Sequence, residues 1–455
     1  MSELALPEGW MEAPLVNCLD KYSIISDGDW VETKDQDVDG SVRLIQLADI
    51  GDGFFRDKSN RFMNTEDASR LNCTYLKEGD VLVARMPDPL GRACIFPKLN
   101  QEAVTVVDVC LIRPSDESAL SSNLLKFWIN SPIIRNKIVM NATGTTRKRI
   151  TRKKLEKFHF PVPPLAEQEQ IKKLLNLHLT TVSQIQARLD AIPKLIEKFR
   201  QSVLNDAVSG ELTGYKEFKE IPLKDLTSKI GSGSTPRGGK SAYKEEGIPL
   251  VRSMNIYTDY IKYKNLAFID EEQASKLANV QIEEDDVLLN ITGASIGRVN
   301  IAPANFIGGR VNQHVSIIRC KQDLINPKYL KLFLASDSTQ RWVMNENYGA
   351  TRQALTKTQI ENYNIKTPAL DEQNIIIEKV DNLLAFIEEI NKSFATAKAR
   401  VDNLTQSILH QAFTGNLTAD WREQNPDLIS GENSAEALLA KIKAEKQAKK
   451  AVKKK

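Results

Sequence analysis

Residue patterns that could support catalysis are incomplete in this sequence. The segment GSGSTPRGGKS at 231–241 ends in Gly-Lys-Ser, as does a loop that binds nucleotide phosphates, but Ser234 stands where that loop needs glycine. Asn425-Pro426-Asp427 lacks the aromatic residue that an amino-methyltransferase places after Asn-Pro-Pro. We therefore expect no catalytic centre in this chain.

Histidine and cysteine supply metal ligands in many proteins, but their spacing here does not favour a metal site. The four histidines, at 159, 178, 314 and 410, form no HExxH pair, and His178 is best interpreted as a packed or partly exposed polar residue of a helix-packing seam. The five cysteines form no CxxC pair and leave one unpaired, so neither a zinc ribbon nor a disulfide framework is expected. This cysteine usage favours a reducing cytoplasm.

The amino-terminal residues lack a signal-peptide pattern, and no apolar run approaches the ~20 residues that span a bilayer.

Positive charge is concentrated in two places, although the formal net charge is only +3. RKRITRKK at 147–154 has six basic residues in eight, and the last fifteen residues contain eight lysines against one glutamate. Such runs suit a polyanion, although a solvated surface is the commoner explanation of any single run. For the tail at 441–455 we favour disorder over nonspecific DNA binding.

The chain contains an internal repeat. Residues 144–213 align without a gap onto 349–418 at an offset of 205, with 19 identities in 70 positions. Shorter matches, such as GDVL at 79–82 with DDVL at 285–288, continue upstream at an offset near 206. The whole sequence is therefore a duplication in which each half has one diverged and one well-matched part.

Each well-matched part predicts a long helix of about 40 residues with a coiled-coil seam, because apolar residues recur there at alternating steps of three and four. The predicted helices begin after Pro163-Pro164 or Pro368 and end at Gly210 or Gly415, and Pro193 should kink or split the first of them. The seam residues are Ile171, Leu175, Val182, Ile185, Leu189, Ile376, Val380, Leu383, Ile387 and Ile390.

The diverged parts, 1–145 and 214–350, predict mixed α/β domains and hence an α+β chain. Short β-type runs such as DVLVAR at 80–85 and DVLLNI at 286–291 alternate with turn residues, whereas LLKFWI at 124–129 and YLKLFLA at 329–335 predict helices. The well-matched regions then span 146–213 and 351–420, and a tail follows at 421–455. At 455 residues, with 41% apolar and 27% charged residues, the composition excludes collagen and low-complexity disorder.

The order of these elements resembles the specificity subunits of type I restriction–modification systems. The resemblance covers the whole chain and rests on PPLAEQ and PALDEQ, on QSVLNDAVSGELT and QSILHQAFTGNLT, and on the duplicated order of regions. The tail LTADWREQNPDLISGENSAEALLAKIKAEK is similar to that of the enterobacterial K-type branch, or type IA.

The resemblance implies a non-catalytic reader of double-stranded DNA. Two target recognition domains would be separated by two helices packed antiparallel, and the partners would be two modification and two restriction subunits. S-adenosylmethionine, ATP and magnesium would then be bound by those partners. Two unlike domains held on a rod predict a non-palindromic target whose half-sites lie about one duplex turn, ~34 Å, apart.

On this interpretation, polar and basic side chains of the two domains and of the entries to the helices would contact DNA. The candidates are Arg56, Lys58, Arg61, Arg85, Arg92, Arg147, Lys148, Arg149, Thr235, Arg237, Arg252, Asn255, Asn290, Thr292, Arg298 and Arg352. Arg92 and Arg298 are preferred because both follow a glycine at equivalent positions. Glu167, Gln168, Glu372 and Gln373 are candidates for docking partner subunits or, alternatively, for capping the helix starts. A coiled-coil scaffold and a stand-alone DNA-binding regulator remain alternatives.

Overall fold

The computed structural model describes residues 6–346 and 354–453. The chain divides into two compact units, unit 1 with Met1–Arg188 and Ala397–Lys455, and unit 2 with Leu189–Thr396. Each unit therefore combines one diverged region with the beginning of one long helix and the end of the other. The boundaries predicted after residues 145, 213, 350 and 420 mark regions of sequence, whereas the compact units divide inside the long helices.

The first half of the chain alternates short strands and helices before its long helix. Its strands are β1 (Met11–Pro14), β2 (Ile24–Asp27), β3 (Val42–Ile45), β4 (Phe62–Met63), β5 (Val81–Ala84), β6 (Ala93–Ile95), β7 (Ala103–Thr105), β8 (Val109–Arg113) and β9 (His159–Val162). Its helices are α1 (Leu15–Cys18), α2 (Thr65–Arg70), α3 (Ser122–Ile129), α4 (Pro132–Asn141), α5 (Arg152–Leu155) and α6 (Leu165–Ser209).

The second half repeats this plan and adds a C-terminal segment. Its strands are β10 (Lys219–Pro222), β11 (Thr227–Ser232), β12 (Ile248–Val251), β13 (Ala267–Ile269), β14 (Val287–Asn290), β15 (Val299–Ile301), β16 (Arg310–Val311), β17 (Val315–Cys320) and β18 (Asn364–Thr367). Its helices are α7 (Leu223–Leu226), α8 (Glu271–Ser275), α9 (Pro327–Ala335), α10 (Asp337–Glu346), α11 (Lys357–Asn362), α12 (Leu370–Phe413), α13 (Ala419–Gln424) and α14 (Ala435–Lys453).

The sheets show that the diverged regions share one fold. The sheets of the first half have strand orders β1-β9, β2-β8-β5-β6 and β4-β3-β7, and those of the second have β10-β18, β11-β17-β14-β15 and β13-β12-β16. Adding nine to each label of the first set gives the second set. All neighbouring strands are antiparallel except β3 with β7 and β12 with β16, which are parallel. The predicted α+β class is confirmed, and the repeat extends through the diverged regions.

The central strands β5 and β14 are apolar on both faces because each separates two cores. In β5, Val81 and Val83 belong to the core that contains α3, whereas Leu82 and Ala84 face the three-stranded sheet. This alternation follows from the period of two along a strand. In β14, Val287 likewise faces the core of α9. The loops that follow β5 and β14 therefore begin at strands that are packed on both faces.

The long helices confirm the predicted boundaries. Helices α6 and α12 span 45 and 44 residues, and each is followed by a glycine with positive φ, Gly210 at 83° and Gly415 at 78°. Glycine ends helices in this way because it adopts left-handed backbone angles without strain. Pro193 lies inside α6 without splitting it, since a proline removes only one backbone hydrogen bond from a long helix.

Within each unit the two long helices pack with opposite chain directions. In unit 1, Ile171 and Leu175 near the start of α6 share a core with Leu409 and Phe413 at the end of α12. In unit 2, residues 376–380 of α12 share a core with residues 203–208 of α6.

Most predicted seam residues are buried or partly buried, as residues of a helix–helix seam would be. The residues in question are Ile171, Leu175, Val182, Leu189, Ile376, Val380, Leu383, Ile387 and Ile390. Ile185 is the exception, because 36% of it is exposed.

The C-terminal segment corrects the prediction of a disordered tail. Helix α14 extends to Lys453, and Ile442, which is 1% exposed, belongs to the unit 1 core together with Ala435. Lys446 Nζ donates to the carbonyl oxygen of Val16 at 2.7 Å. The helix is ordered because Leu438, Leu439 and Ile442 form an apolar stripe at helical spacing. Across the described residues, no helix combines the length and apolarity that a membrane span requires.

Candidate nucleic-acid interface

An aromatic and basic loop, residues 51–61, lies between β3 and β4 in unit 1. The buried carboxylate of Asp49 holds it, accepting a hydrogen bond from the backbone N–H of Lys58 at 2.7 Å, while the Asp49 carbonyl accepts from the N–H of Arg56 at 2.7 Å. The Arg56 guanidinium lies 5.8 Å from the exposed ring of Phe54. Three predicted DNA contacts are exposed on this loop: Arg56, Lys58 and Arg61.

The equivalent loop of unit 2, residues 257–265 between β12 and β13, presents more aromatic surface. Tyr257 and Tyr260 stack with their ring centroids 4.4 Å apart, and the Arg298 guanidinium lies 4.2 Å from the Tyr257 ring. A hydrogen bond from Arg298 lowers the pKa of Tyr257. Arg298 is thus partly exposed among aromatic side chains, which is a suitable setting for a nucleic-acid contact.

The sequence interpretation missed Tyr257, Tyr260, Lys262 and Lys264 on this second loop. The repeat offset of 206, which relates Gly91-Arg92 to Gly297-Arg298, also maps Arg56 and Lys58 onto Lys262 and Lys264. Applying that offset to every candidate of the first half would have found both lysines.

Arg92, a preferred candidate, is buried and holds the unit 1 loop. Only 3% of it is exposed, and its guanidinium donates to the carbonyl oxygens of Leu47 at 2.7 Å and Pro89 at 2.9 Å. Burial lowers the pKa of Arg92. The prediction that Arg92 contacts DNA is wrong, because its guanidinium is buried and donates its hydrogen bonds to backbone carbonyl oxygens.

Asn255 and Asn290 are likewise buried supports of the unit 2 loop. Asn255 Nδ2 donates to the carbonyl oxygen of Lys262 and Asn290 Nδ2 to that of Ser253, both at 2.9 Å. The prediction of base contacts by these two asparagines is therefore also wrong. Arg252 is partly exposed and donates to a loop carbonyl, while its guanidinium lies 5.1 Å from the Tyr243 ring.

A cluster of charged side chains lies in unit 1 where β5 ends and β8 begins, and we call it the ionic edge. It consists of Asp27, Arg85, Asp108, Arg149 and Arg152. Arg85 is buried, forms an ion pair with Asp27 and donates to the carbonyl oxygen of Val107 at 2.6 Å. Burial lowers the pKa of Arg85, and the nearby positive charge of Arg149 adds to this effect.

The ionic edge separates the remaining candidates of unit 1 into two groups. Arg85 is a structural residue, so its predicted DNA contact is wrong. Arg149 is partly exposed and pairs with Asp108 at 3.4 Å, while Arg147 and Lys148 are exposed in the adjoining hairpin. These three basic side chains keep N–H groups that can donate hydrogen bonds to a phosphate or to a base.

The same place in unit 2 carries uncharged polar side chains, and we call it the neutral edge. It consists of Thr235, Thr292, Gln313 and His314. Thr235 Oγ1 donates to Gln313 Oε1 at 2.5 Å, and Thr292 Oγ1 lies 2.5 Å from His314 Nδ1. Gln313 Nε2 lies 3.1 Å from His314 Nε2. The structure therefore brings two predicted residues together with two that the sequence interpretation missed.

Backbone hydrogen bonds show that the two edges are equivalent positions. In unit 1 the N–H of Ile150 donates to the carbonyl oxygen of Arg85 at 3.1 Å, and in unit 2 the N–H of Leu355 donates to that of Ile291 at 2.9 Å. The offset of 206 relates Asp108 of the ionic edge to His314 of the neutral edge in sequence. Arg237 is exposed beyond the neutral edge, and Arg352 lies outside the described residues.

The starts of the long helices act as internal anchors. Glu167 is 0% exposed and accepts hydrogen bonds from Trp10 Nε1 at 2.7 Å, Thr418 Oγ1 at 2.6 Å and Arg422 Nη2 at 2.7 Å. The amides of Gln168 and Gln373 are also buried and donate to backbone carbonyls. Partner docking by these three residues is therefore ruled out by burial, whereas Glu372 is only partly buried.

The described residues hold no group of three or more side chains suited to binding a metal ion. The arrangement of both units instead offers cations, aromatic faces and amide or hydroxyl groups at loop ends. Such groups bind phosphates, stack on bases and form hydrogen bonds with base edges.

Comparison with known proteins agrees with this chemistry. The family described as "Type I restriction modification DNA specificity domain" matches residues 25–194 and 215–396. The EcoBI specificity subunit of Escherichia coli is 35% identical over 361 residues, which cover 75% of this chain and 75% of that subunit. The EcoKI specificity subunit of Escherichia coli K12 is 32% identical over 355 residues, with 74% of each chain covered.

A solved structure shares the fold. The crystal structure of the HsdS subunit from Thermoanaerobacter tengcongensis has a TM-score of 0.61 at 19% identity and covers 90% of this chain and 98% of that one. From the family match, the relatives and the duplicated fold, we conclude that the chain belongs to the specificity subunits of type I restriction–modification systems and is similar to their enterobacterial branch.

Proposed function

We propose that this chain is the DNA-reading subunit of a type I restriction–modification complex and that its two variable regions read different halves of one bipartite target. One observation carries this proposal. The two regions have the same strand order, yet the same edge is ionic in one and neutral in the other. A conserved frame with different chemistry at the same place fits two unlike readers.

The two edges favour different kinds of base contact. Arginine pairs best with the acceptors of guanine, and glutamine pairs with the donor and acceptor of adenine, so Arg149 and Gln313 are the central candidates. Threonine and histidine at the neutral edge add single hydrogen bonds. The exposed basic groups of the loops at 51–61 and 257–265 would bind phosphates and fix the register on the duplex.

Catalysis would belong to the partners of this subunit. We propose that two modification subunits, which use S-adenosylmethionine, and two restriction subunits, which use ATP and magnesium, assemble on it in the cytoplasm. We expect the long helices to set the spacing of the half-sites at about one duplex turn, ~34 Å. Two different half-sites would make the target non-palindromic.

Methylation mapping tests this proposal. The chain is supplied to its modification subunits and methylated adenines are mapped genome-wide. The mapping is repeated with a chain in which residues 214–350 are replaced by a second copy of residues 1–145. The proposal predicts a split motif with two different halves for the unaltered chain and a palindromic motif for the replaced chain, because both of its readers are then the same. An unchanged motif after the replacement, or methylation by the isolated chain, would refute it. Sequence-selective binding that directs no methylation would instead identify a stand-alone regulator.

A further inference from the structure

One buried carboxylate oxygen in unit 2 has no hydrogen-bond partner. Oε1 of Glu372, in the first turn of α12, is fully covered and unpartnered within the described part of the chain. The hydroxyl of Thr213 is in the same state. Buried polar atoms without partners are rare in folded proteins, and each one calls for an explanation.

The repeat identifies what is missing. Glu372 and Thr213 are related by the offset of 205 to Glu167 and Thr418 of unit 1. There the threonine hydroxyl donates to Glu167 Oε1 at 2.6 Å, and the Arg422 guanidinium donates to the same oxygen at 2.7 Å. The carboxylate of unit 1 is thus satisfied by the chain's own C-terminal segment.

Unit 2 lacks both outside donors of that arrangement. Trp10 immediately precedes β1, and Phe218 occupies the same place before β10. The side chain of phenylalanine has no N–H group to donate. Around Gly415 the neighbours are Pro7 and Arg422, whereas around the equivalent Gly210 they are the backbone of Tyr215 and the ring of Phe218.

Among the described residues, no cation of unit 2 compensates for this loss by donating to Glu372 Oε1. Lys379, two turns further along α12, donates to the carbonyl oxygen of Leu212 at 3.3 Å. At position 217, which the offset relates to Arg422, the chain has a glutamate.

We propose that Glu372 and Thr213 form a docking site for an arginine side chain of a partner protein, which takes the place that Arg422 holds in unit 1. The site is anionic, so DNA phosphates are repelled and a guanidinium is favoured. Glu372 Oε1 and the Thr213 hydroxyl are covered, but Glu372 as a whole is only partly buried, so binding requires its side chain to turn Oε1 towards the incoming guanidinium. The partner is assigned as a modification subunit, and this assignment rests on the proposed function.

The test measures binding of purified modification subunit to the full-length chain by calorimetry. Glu372→Gln keeps the shape of the side chain and removes its charge, and Thr213→Val removes the hydroxyl. We expect Glu372→Gln to weaken one binding step about tenfold, the effect of losing one charge-assisted hydrogen bond, with an unchanged melting temperature. Thr213→Val should weaken the same step by less.

Glu167→Gln is the matched control, because the same substitution in unit 1 breaks an internal anchor. We expect it to lower the melting temperature. Unchanged affinity of Glu372→Gln would show that solvent alone satisfies this carboxylate and would overturn the proposal, as would a drop in its melting temperature equal to that of the control. If the wild-type chain binds no modification subunit, the proposed function itself fails, so the two failures are distinguishable.

Discussion

Thr292 Oγ1 lies 2.5 Å from Nδ1 of His314, and this contact joins the end of β14 to the start of β17. At the equivalent place in unit 1, Asp108 instead pairs with Arg149 at 3.4 Å. Two copies of one fold therefore present different hydrogen-bonding groups on the same backbone frame. This difference is the physical basis on which two half-sites of unlike sequence are expected.

Substitution of Gln313 should affect one half-site only. Gln313→Ala removes a group suited to bidentate contact with a base, and such a contact contributes about 1–3 kcal/mol of discrimination. We expect affinity for the intact target to fall roughly 10- to 100-fold and selectivity to relax in the half read by unit 2. Gel-shift titrations against targets altered in either half would measure this. Gln281→Ala, an exposed glutamine of the same unit, should change neither; equal loss for both halves would contradict the assignment.

Two arginines near the unit 1 loop should behave differently. Arg92→Ala leaves buried carbonyl oxygens without donors and should lower the free energy of unfolding by about 3 kcal/mol. Arg56→Ala should leave stability unchanged and reduce the salt dependence of DNA binding by about one phosphate contact. Urea unfolding and salt titrations separate these effects. A destabilised Arg56→Ala, or a stable Arg92→Ala, would show that their roles have been misassigned.

The cysteine thiols of the native chain should resist alkylation. Burial raises the pKa of Cys94 and Cys110 from 9.0 to about 12, so both remain protonated at pH 8.5, and only the thiolate reacts. As the pH rises, these thiols ionise in the unfolded chain before they ionise in the folded chain. Their contribution to the free energy of unfolding is therefore fully present below pH 9 and is lost as the pH rises from 9 towards 12. Mass spectrometry after iodoacetamide treatment should find both residues modified in urea and unmodified without it. Rapid modification of the native chain would contradict their burial.

Ile442 tests whether the C-terminal helix stabilises unit 1. Ile442→Ala removes a buried side chain and should cost about 2–4 kcal/mol of the free energy of unfolding. Denaturant titration measures this loss, and Lys443→Ala, on the exposed face of the same helix, serves as the control. If both variants unfolded at the wild-type midpoint, α14 would not contribute to the core.

The sequence predicted the elements whose signals are local. The seam from Ile171 onward, the glycine after each long helix and the β-type run at 80–85 correspond to α6, α12 and β5. The tail was mispredicted, because eight lysines hide an apolar stripe that ends in Ile442. Composition describes the solvent face of such a helix, whereas the buried stripe decides whether it is ordered.

The candidate site was harder to predict because base-reading and supporting residues are of the same types. Arg92 and Arg298 follow equivalent glycines, yet one is buried by backbone carbonyls and the other lies over the Tyr257 ring. Asn290 also looks like a base contact in sequence, but burial makes it a support. Gln313 and His314 immediately precede β17, and only the fold brings them to Thr235 and Thr292.

Selection from a random DNA library tests the central claim most directly. The chain, assembled with its modification subunits, is used to enrich bound duplexes, and the enriched pool is sequenced. We predict two different short motifs at one fixed separation, with Gln313→Ala relaxing one of them and leaving the other intact. Enrichment of a single palindromic motif, or of no motif, would contradict an account in which two unlike readers share one duplex.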